Sequence, residues 1–241
     1  MSESSPPEFH DAISDQTPAV VVLNEVQARI LGCMMEKQAT TPDAYPLTQN
    51  AVVVACNQKS SRDPVLELDP GEVGHSLRQL EGRGLVSVTM AARSMRYEHR
   101  FDGHYEVTPR QRALLAMLML RGPQTVNELY TRCERLADFP DADEVRVQLE
   151  RMAQRPVPLT TCLGHGSGQR EDRHMHLLCG EEYANRRGET MTAPVRSSAP
   201  MATADAALIE RVASLEQTVA ALMDAIDELR THRVPADADP R

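Results

Sequence analysis

Apolar residues recur along this chain at two spacings, one helical and one alternating, and the order of the spacings is repeated once. Over residues 24–37 the stripe falls at Ile30, Leu31 and Met34; over 108–121 it falls at Leu114, Leu115 and Leu118. Both are the signature of a helix with one buried face. The two segments align at a constant offset of 84, Asn24-Glu25-Val26-Gln27 against Thr108-Pro109-Arg110-Gln111, each opening on a cap-type residue. Further on, Glu72-Val73-x3-Leu77-x2-Leu80 corresponds to Glu144-Val145-x3-Leu149-x2-Met152, and each block closes on a β-leaning stretch. A unit of helix, short helix, helix and β-hairpin is therefore expected twice.

In the first unit the pattern predicts helices over 24–37, from Thr48 to about Asn57, and from Asp69-Pro70 to Gly82 or Gly84, the last burying Val73, Leu77 and Leu80. Pro42 and Pro46 bracket one loop, and Gln58–Val65 is a second, rich in turn formers. Strands at 85–89 and 97–101 are expected to flank a long tip at 90–95. The second unit gives helices at 108–121, 125–137 and 141–154, then strands at 159–163 and 175–179 around a Gly-rich tip. The Met117-Leu118-Met119-Leu120 run reads as core.

The fold class is thus α+β, mainly helical: domain 1 at 20–106, domain 2 at 107–182. Residues 1–19 read as a disordered acidic N-terminus, 183–204 as a flexible Pro/Ala/Ser/Thr linker and 234–241 as a disordered tail. Between them, over 205–233, Leu208, Val212, Leu215, Val219, Leu222, Ile226 and Leu229 keep a 4-3 spacing, with β-branched residues at a and Leu at d. That choice of shapes favours a parallel two-stranded coiled coil, hence a homodimer.

Charge and cysteines narrow the functional classes. The net charge is −9, and residues 20–182 carry 19 basic against 22 acidic side chains, so no domain-wide basic footprint announces a nucleic-acid binder. The basic residues are locally concentrated instead: from 74 to 100 there are five Arg against Glu81 and Glu98. The 5 cysteines lack framework spacing, no secretory signal is visible and no run is apolar enough to span a membrane. A reduced, cytoplasmic protein is expected, without membrane partners. No Gly-rich phosphate loop, nucleophile elbow or HExxH helix is present, so no enzyme and no cofactor are expected.

Several runs resemble the YceH family of bacterial proteins: Leu31-Gly32-Cys33-Met34-Met35-Glu36-Lys37-Gln38, Thr40-Thr41-Pro42-x2-Tyr45-Pro46-Leu47-Thr48 and, most specifically, Ala55-Cys56-Asn57-Gln58-Lys59-Ser60-Ser61-Arg62-Asp63-Pro64-Val65. Tyr97-x2-Arg100-Phe101, Leu120-Arg121-Gly122-x-Gln124-Thr125 and Arg170-Glu171-x-Arg173-x-Met175-His176-Leu177 add to it, over residues 20–182 in all. The resemblance implies two winged-helix domains in tandem and supplies no catalytic residues.

Three candidate sites follow. On helix 3 and the hairpin of domain 1, His75, Arg78, Gln79, Arg83, Arg93, Arg96 and Arg100 are types that bridge phosphates or read base edges, which points to double-stranded DNA. Lys59, Ser60, Ser61 and Arg62 offer cations, hydroxyls and backbone N–H groups for phosphate. Cys162, His165, His174, His176 and Cys179 are zinc-ligand types, but strand alternation sends them to different faces, so no metal is expected. The expected function is a dimeric DNA-binding regulator or chromosome-associated factor. The alternative is a winged-helix module that docks proteins, with domain 2 as the docking face.

Overall fold

Asn24, Thr48 and Asp69 stand at the N-caps of the first three helices, and each side chain accepts from a backbone N–H of the first turn. The computed structural model describes residues 22–91, 94–164 and 171–192, all within one compact unit. These caps open α1 (Glu25–Thr40), α2 (Gln49–Cys56) and α3 (Pro70–Gly82), and the antiparallel strands β1 (Val86–Ala91) and β2 (Ser94–His99) follow. A short helix, α4 (Phe101–Tyr105), leads to α5 (Pro109–Arg121), α6 (Val126–Cys133) and α7 (Ala142–Ala153). Thr108, Thr125 and Asp141 cap these three in the same manner. Strands β3 (Thr160–Cys162) and β4 (His174–His176) pair antiparallel, and α8 (Glu181–Thr192) closes the described chain. The class is α+β, mainly helical, as the periodicity indicated.

The two units share a detail beyond element order. In each, the residue just before the cap of the second helix pairs with the second hairpin strand. Leu47 N–H donates to Tyr97 O at 3.0 Å and Tyr97 N–H returns to Leu47 O at 2.8 Å; Gln124 and His174 make the equivalent pair at 3.0 and 2.8 Å. The loops differ, 41–48 and 57–69 in the first unit being longer than 122–125 and 134–141 in the second.

Three expectations are corrected. The first hairpin has no long tip at 90–95: its ladder continues through Met90↔Met95 and Ala91↔Ser94. Phe101 does not extend a strand but starts α4, where its ring is buried and lies 4.6 Å from that of Tyr105, tilted by 44°. Residues 183–192 belong to α8 rather than to a flexible linker, because Ala184 is fully buried and Arg187 is clamped onto Asp63. Residues 1–19, 193–204 and 234–241 lie outside the described residues, as does the coiled-coil segment with Leu208, Val212, Leu215, Val219, Leu222, Ile226 and Leu229.

The units pack through α1 against α5. Every α5 residue from Ala113 to Leu120 is buried, as befits a helix covered by its own unit on one side and by α1 on the other. The approach is close: a Cβ at Gly32 would lie 3.1 Å from the Leu120 side chain and 3.3 Å from Met119 Cβ. The long 57–69 loop reaches the same seam. Asp63 N–H donates to Leu120 O at 2.8 Å, Arg121 Nη2 to Ser61 Oγ at 2.7 Å, and Arg187 Nη2 to Asp63 O at 3.0 Å.

Candidate nucleic-acid interface

α3 buries Val73, Gly74, Ser76, Leu77 and Leu80 against its own unit and exposes Glu72, His75, Arg78 and Gln79. Its neighbours are α1, α2 and β1, while the seam with the second unit lies on α1 and α5. The outer face of α3 is therefore uncovered in the described chain.

The nominated residues divide by what they already hold. Arg78 is exposed and makes no hydrogen bond or ion pair among the described residues. His75 is also exposed, its Nε2 lying 2.9 Å from the Gln79 amide nitrogen. Gln79 faces inward as well: its Oε1 accepts from Gln27 Nε2 of α1 at 2.8 Å. Arg83 caps the end of α3 and turns back, Nη1 donating to Val22 O at 3.2 Å and Gln27 Oε1 at 3.3 Å. On the hairpin, Arg96 is half-buried and donates to Pro46 O at 3.1 Å, with no carboxylate partner among the described residues. Arg100 pairs with Glu98 at 3.2 Å and donates through Nε to Ser87 Oγ at 3.0 Å. Arg93 lies outside the described residues.

The phosphate reading of the 58–62 loop is corrected at Arg62. This side chain is only 6% exposed. Its Nη1 and Nη2 grip Glu36 Oε1 and Oε2 at 3.1 and 2.6 Å, and Ala55 O, Ser61 O and Gln58 Oε1 take the remaining donors. Although burial works against its charge, the hydrogen-bonded Glu36 carboxylate outweighs it and the guanidinium pKa rises. Ser61 holds a left-handed backbone at φ 60° and its hydroxyl accepts from Arg121. The loop reaches the second unit through Ser61, while Lys59, Ser60 and Ser61 face solvent.

The Cys/His set does not assemble. His176 is buried and stacks on Tyr183 at 5.9 Å, His174 is half-buried, Cys162 is exposed, and His165 lies outside the described residues. Among the described residues no group of His, Cys, Asp and Glu is arranged to hold a metal, and all five cysteines are free. Around α6, α7 and the second hairpin runs a groove of about 600 Å³ lined by Arg146, Glu150, Glu171, Asp172 and His174. Its acidic balance opposes a polyanion, and Arg146 sits 3.8 Å from Asp143. No described helix is long and apolar enough to cross a membrane.

A family signature described as "Protein of unknown function, DUF480" matches residues 23–169. The chain belongs to the DUF480 family. Its similarity to other DUF480-type proteins runs well past that segment. A UPF0502 protein of Stenotrophomonas maltophilia (strain R551-3) is 52% identical over 218 residues, 90% of this chain and 98% of the relative. A UPF0502 protein of Xanthomonas campestris pv. campestris (strain B100) is 50% identical over 226 residues, covering 92% and 99%. One from Pseudomonas syringae pv. tomato is 49% identical over 208 residues, covering 86% and 91%. The DUF480 segment starts at Leu23, whose N–H donates to Leu178 O at 2.8 Å, so its first residue is tied to the chain beyond its last.

Two residues of interest escaped the sequence reading. Met90 and Met95 are directly paired and are 71% and 53% exposed. Their signal was the period-2 continuation Val86-Val88-Met90 and Met95-Tyr97, which a loop assignment for 90–95 concealed.

Proposed function

We propose that the chain is a tandem winged-helix protein, of the kind its resemblance to the YceH family implies, that binds double-stranded DNA through the first unit. The observation that carries this reading is the uncovered outer face of α3, on which Arg78 stands exposed and unpaired among the described residues. A helix so presented, followed at once by a hairpin bearing Arg96, has the parts for major-groove entry with backbone contact alongside. Arg78 and Arg96, with Arg93, are the phosphate or base contacts, and His75 is a further base contact. Gln79, Arg83 and Arg100 support them from behind, being engaged within the protein. The acidic groove of the second unit argues against a matching role there and leaves it as backing for the first. The protein acts in the cytoplasm as a binding protein, with no reaction assigned. Dimerisation through 208–229 presents two copies of the surface and raises affinity through effective concentration.

The test is fluorescence anisotropy of the full chain on random-sequence duplex across a salt series. Binding is expected to weaken steeply with salt, and Arg78→Ala and Arg96→Ala to reduce both affinity and the slope of log K against log salt. Arg83→Ala is expected to lower the melting temperature more than the slope. Salt-independent binding indifferent to Arg78 would instead support the protein-docking module.

A further inference from the structure

The apolar face of the first hairpin does not stop where the core stops. Side chains alternate along β1 and β2, so Val86, Val88 and Met90 share one face with their partners His99, Tyr97 and Met95. The Val86–His99 pair is buried, Val88 is half-buried beside buried Tyr97, and Met90 and Met95 stand in solvent. The Tyr97 hydroxyl reaches Met95 Sδ at 3.8 Å, so the strip is continuous from core to hairpin end. The opposite face carries Ser87, Thr89, Ala91, Ser94, Arg96 and Glu98, the last paired with Arg100, and Arg96 sits one register step from the methionine pair.

Removing apolar side chains from water is favourable, so two adjacent exposed thioethers are suited to an apolar surface. The surroundings select its nature. The neighbouring cation, Arg96, has no carboxylate partner among the described residues, and Arg78 on the same unit has none either. An exposed apolar pair near the hairpin end, with guanidinium groups on the same unit that have no carboxylate partner among the described residues, complements a duplex groove, where phosphates line both walls and the faces of a parted base step are apolar. We infer that Met90 and Met95 form a wedge that enters the minor groove of DNA held by the first unit, partly unstacks one base step and bends the duplex. This rests on the DNA-binding reading above. It also names the preferred sites, which are flexible pyrimidine–purine steps rather than stiff A-tracts.

The experiment uses the full chain, duplexes with 2-aminopurine at TA or CA steps or within an A-tract, and end-to-end energy transfer to read bending. Saturating protein is expected to raise 2-aminopurine fluorescence at TA and CA steps and to shorten the end-to-end distance. Met90→Ala with Met95→Ala should abolish both signals and keep salt-dependent binding, and Met90→Leu with Met95→Leu should restore them. Binding without either signal in the wild type, or unchanged signals in the double Ala variant, overturns the wedge and leaves the DNA reading standing. Failure of the wild type to bind duplex overturns both. A change of oligomeric state in the double Ala variant assigns the strip to a second copy of the chain and also overturns the wedge.

Discussion

Arg62 has five N–H donors, and the protein supplies an acceptor for each, two of them the oxygens of Glu36. Removing Glu36 would leave Arg62 as an uncompensated charge in a dry site, a loss of about 3–5 kcal/mol, and removing Arg62 would leave Glu36 with only Lys37, at 3.8 Å. Glu36→Gln and Arg62→Ala are therefore expected to lower the denaturant midpoint sharply. Arg78→Ala, on an exposed helix face, should change stability by no more than about 0.5 kcal/mol. Equal losses at the two arginines would refute this division of roles. Histidines supply a second test. Burial, reinforced by Arg187, holds His176 at about 3; burial, then Arg112 and Arg100, holds His99 at about 4. His99 is kept neutral with Nε2–H on Gln38 Oε1 at 2.8 Å and Nδ1 accepting from Phe101 N–H at 3.4 Å. An unfolded His titrates near 6.5, so below about 6.5 the unfolded chain binds more protons than the folded one. The stability these rings contribute is complete above about 6.5 and is lost as the pH falls through that value toward their folded pKa values. Denaturation midpoints measured from about pH 7.5 down to about 4.5 should fall, these two rings contributing up to two protons to the slope and His174 and His104, also lowered by burial, adding to it. His99→Gln together with His176→Gln should flatten it; an unchanged slope would show that other groups carry the acid sensitivity.

Among the elements, α8 shows what local pattern can and cannot convey. Its sequence Glu181–Thr192 has little apolar periodicity, and it is helical where it docks, through buried Ala184 and through Arg187 on Asp63. That docking is possible because Gly122 ends α5 at φ 71°, ψ −151°, a conformation nearly confined to glycine. A Cβ there would also lie 2.7 Å from Arg187 Nη2. Gly122→Ala is accordingly expected to cost about 1–3 kcal/mol and to speed hydrogen exchange in α8 before other helices. Unaltered α8 protection would show that the helix does not depend on this contact. The helices that were legible in sequence are those with a cap and a stripe of their own, as at Asn24 with Ile30 and Leu31, or Thr108 with Leu114 and Leu115. Arg62 misled because its partner Glu36 is 26 residues away, and a cation amid Ser and Lys looks like surface. The hairpin end misled because Met90–Met95 lacks the Gly or Asn that marks a tight turn. At the candidate interface, residue types were readable but engagement was not: Gln79 and Arg83 face Gln27 on α1, a contact only the tertiary fold creates.

The molecule as a whole keeps its two units together by more than a linker. α1 and α5 meet over Gly32, the 57–69 loop lies on the end of α5, and Leu23 pairs with Leu178 beyond the second hairpin. Neither unit would retain a covered core alone, because α5 is buried from Ala113 to Leu120 and packs against α1 as well as against its own unit. Unfolding within 22–192 should therefore be one cooperative transition, with amides of α1, α3 and α7 exchanging through openings of equal free energy. Gly32→Val sharpens the test. Its branched side chain would meet Leu120 and Met119 at the closest point of the seam, an overpacking cost of about 1–3 kcal/mol. If the seam couples the units, this change lowers the exchange free energy of α3 and α7 together, although the side chains nearest a Cβ at residue 32 belong to α5. A drop confined to α1 and α5, or an α7 that opens independently in the wild type, would show two autonomous domains. In the coupled case the second unit acts as the rigid backing against which α3 and its hairpin are held, which accounts for a duplicated fold with charged surfaces that differ between its copies.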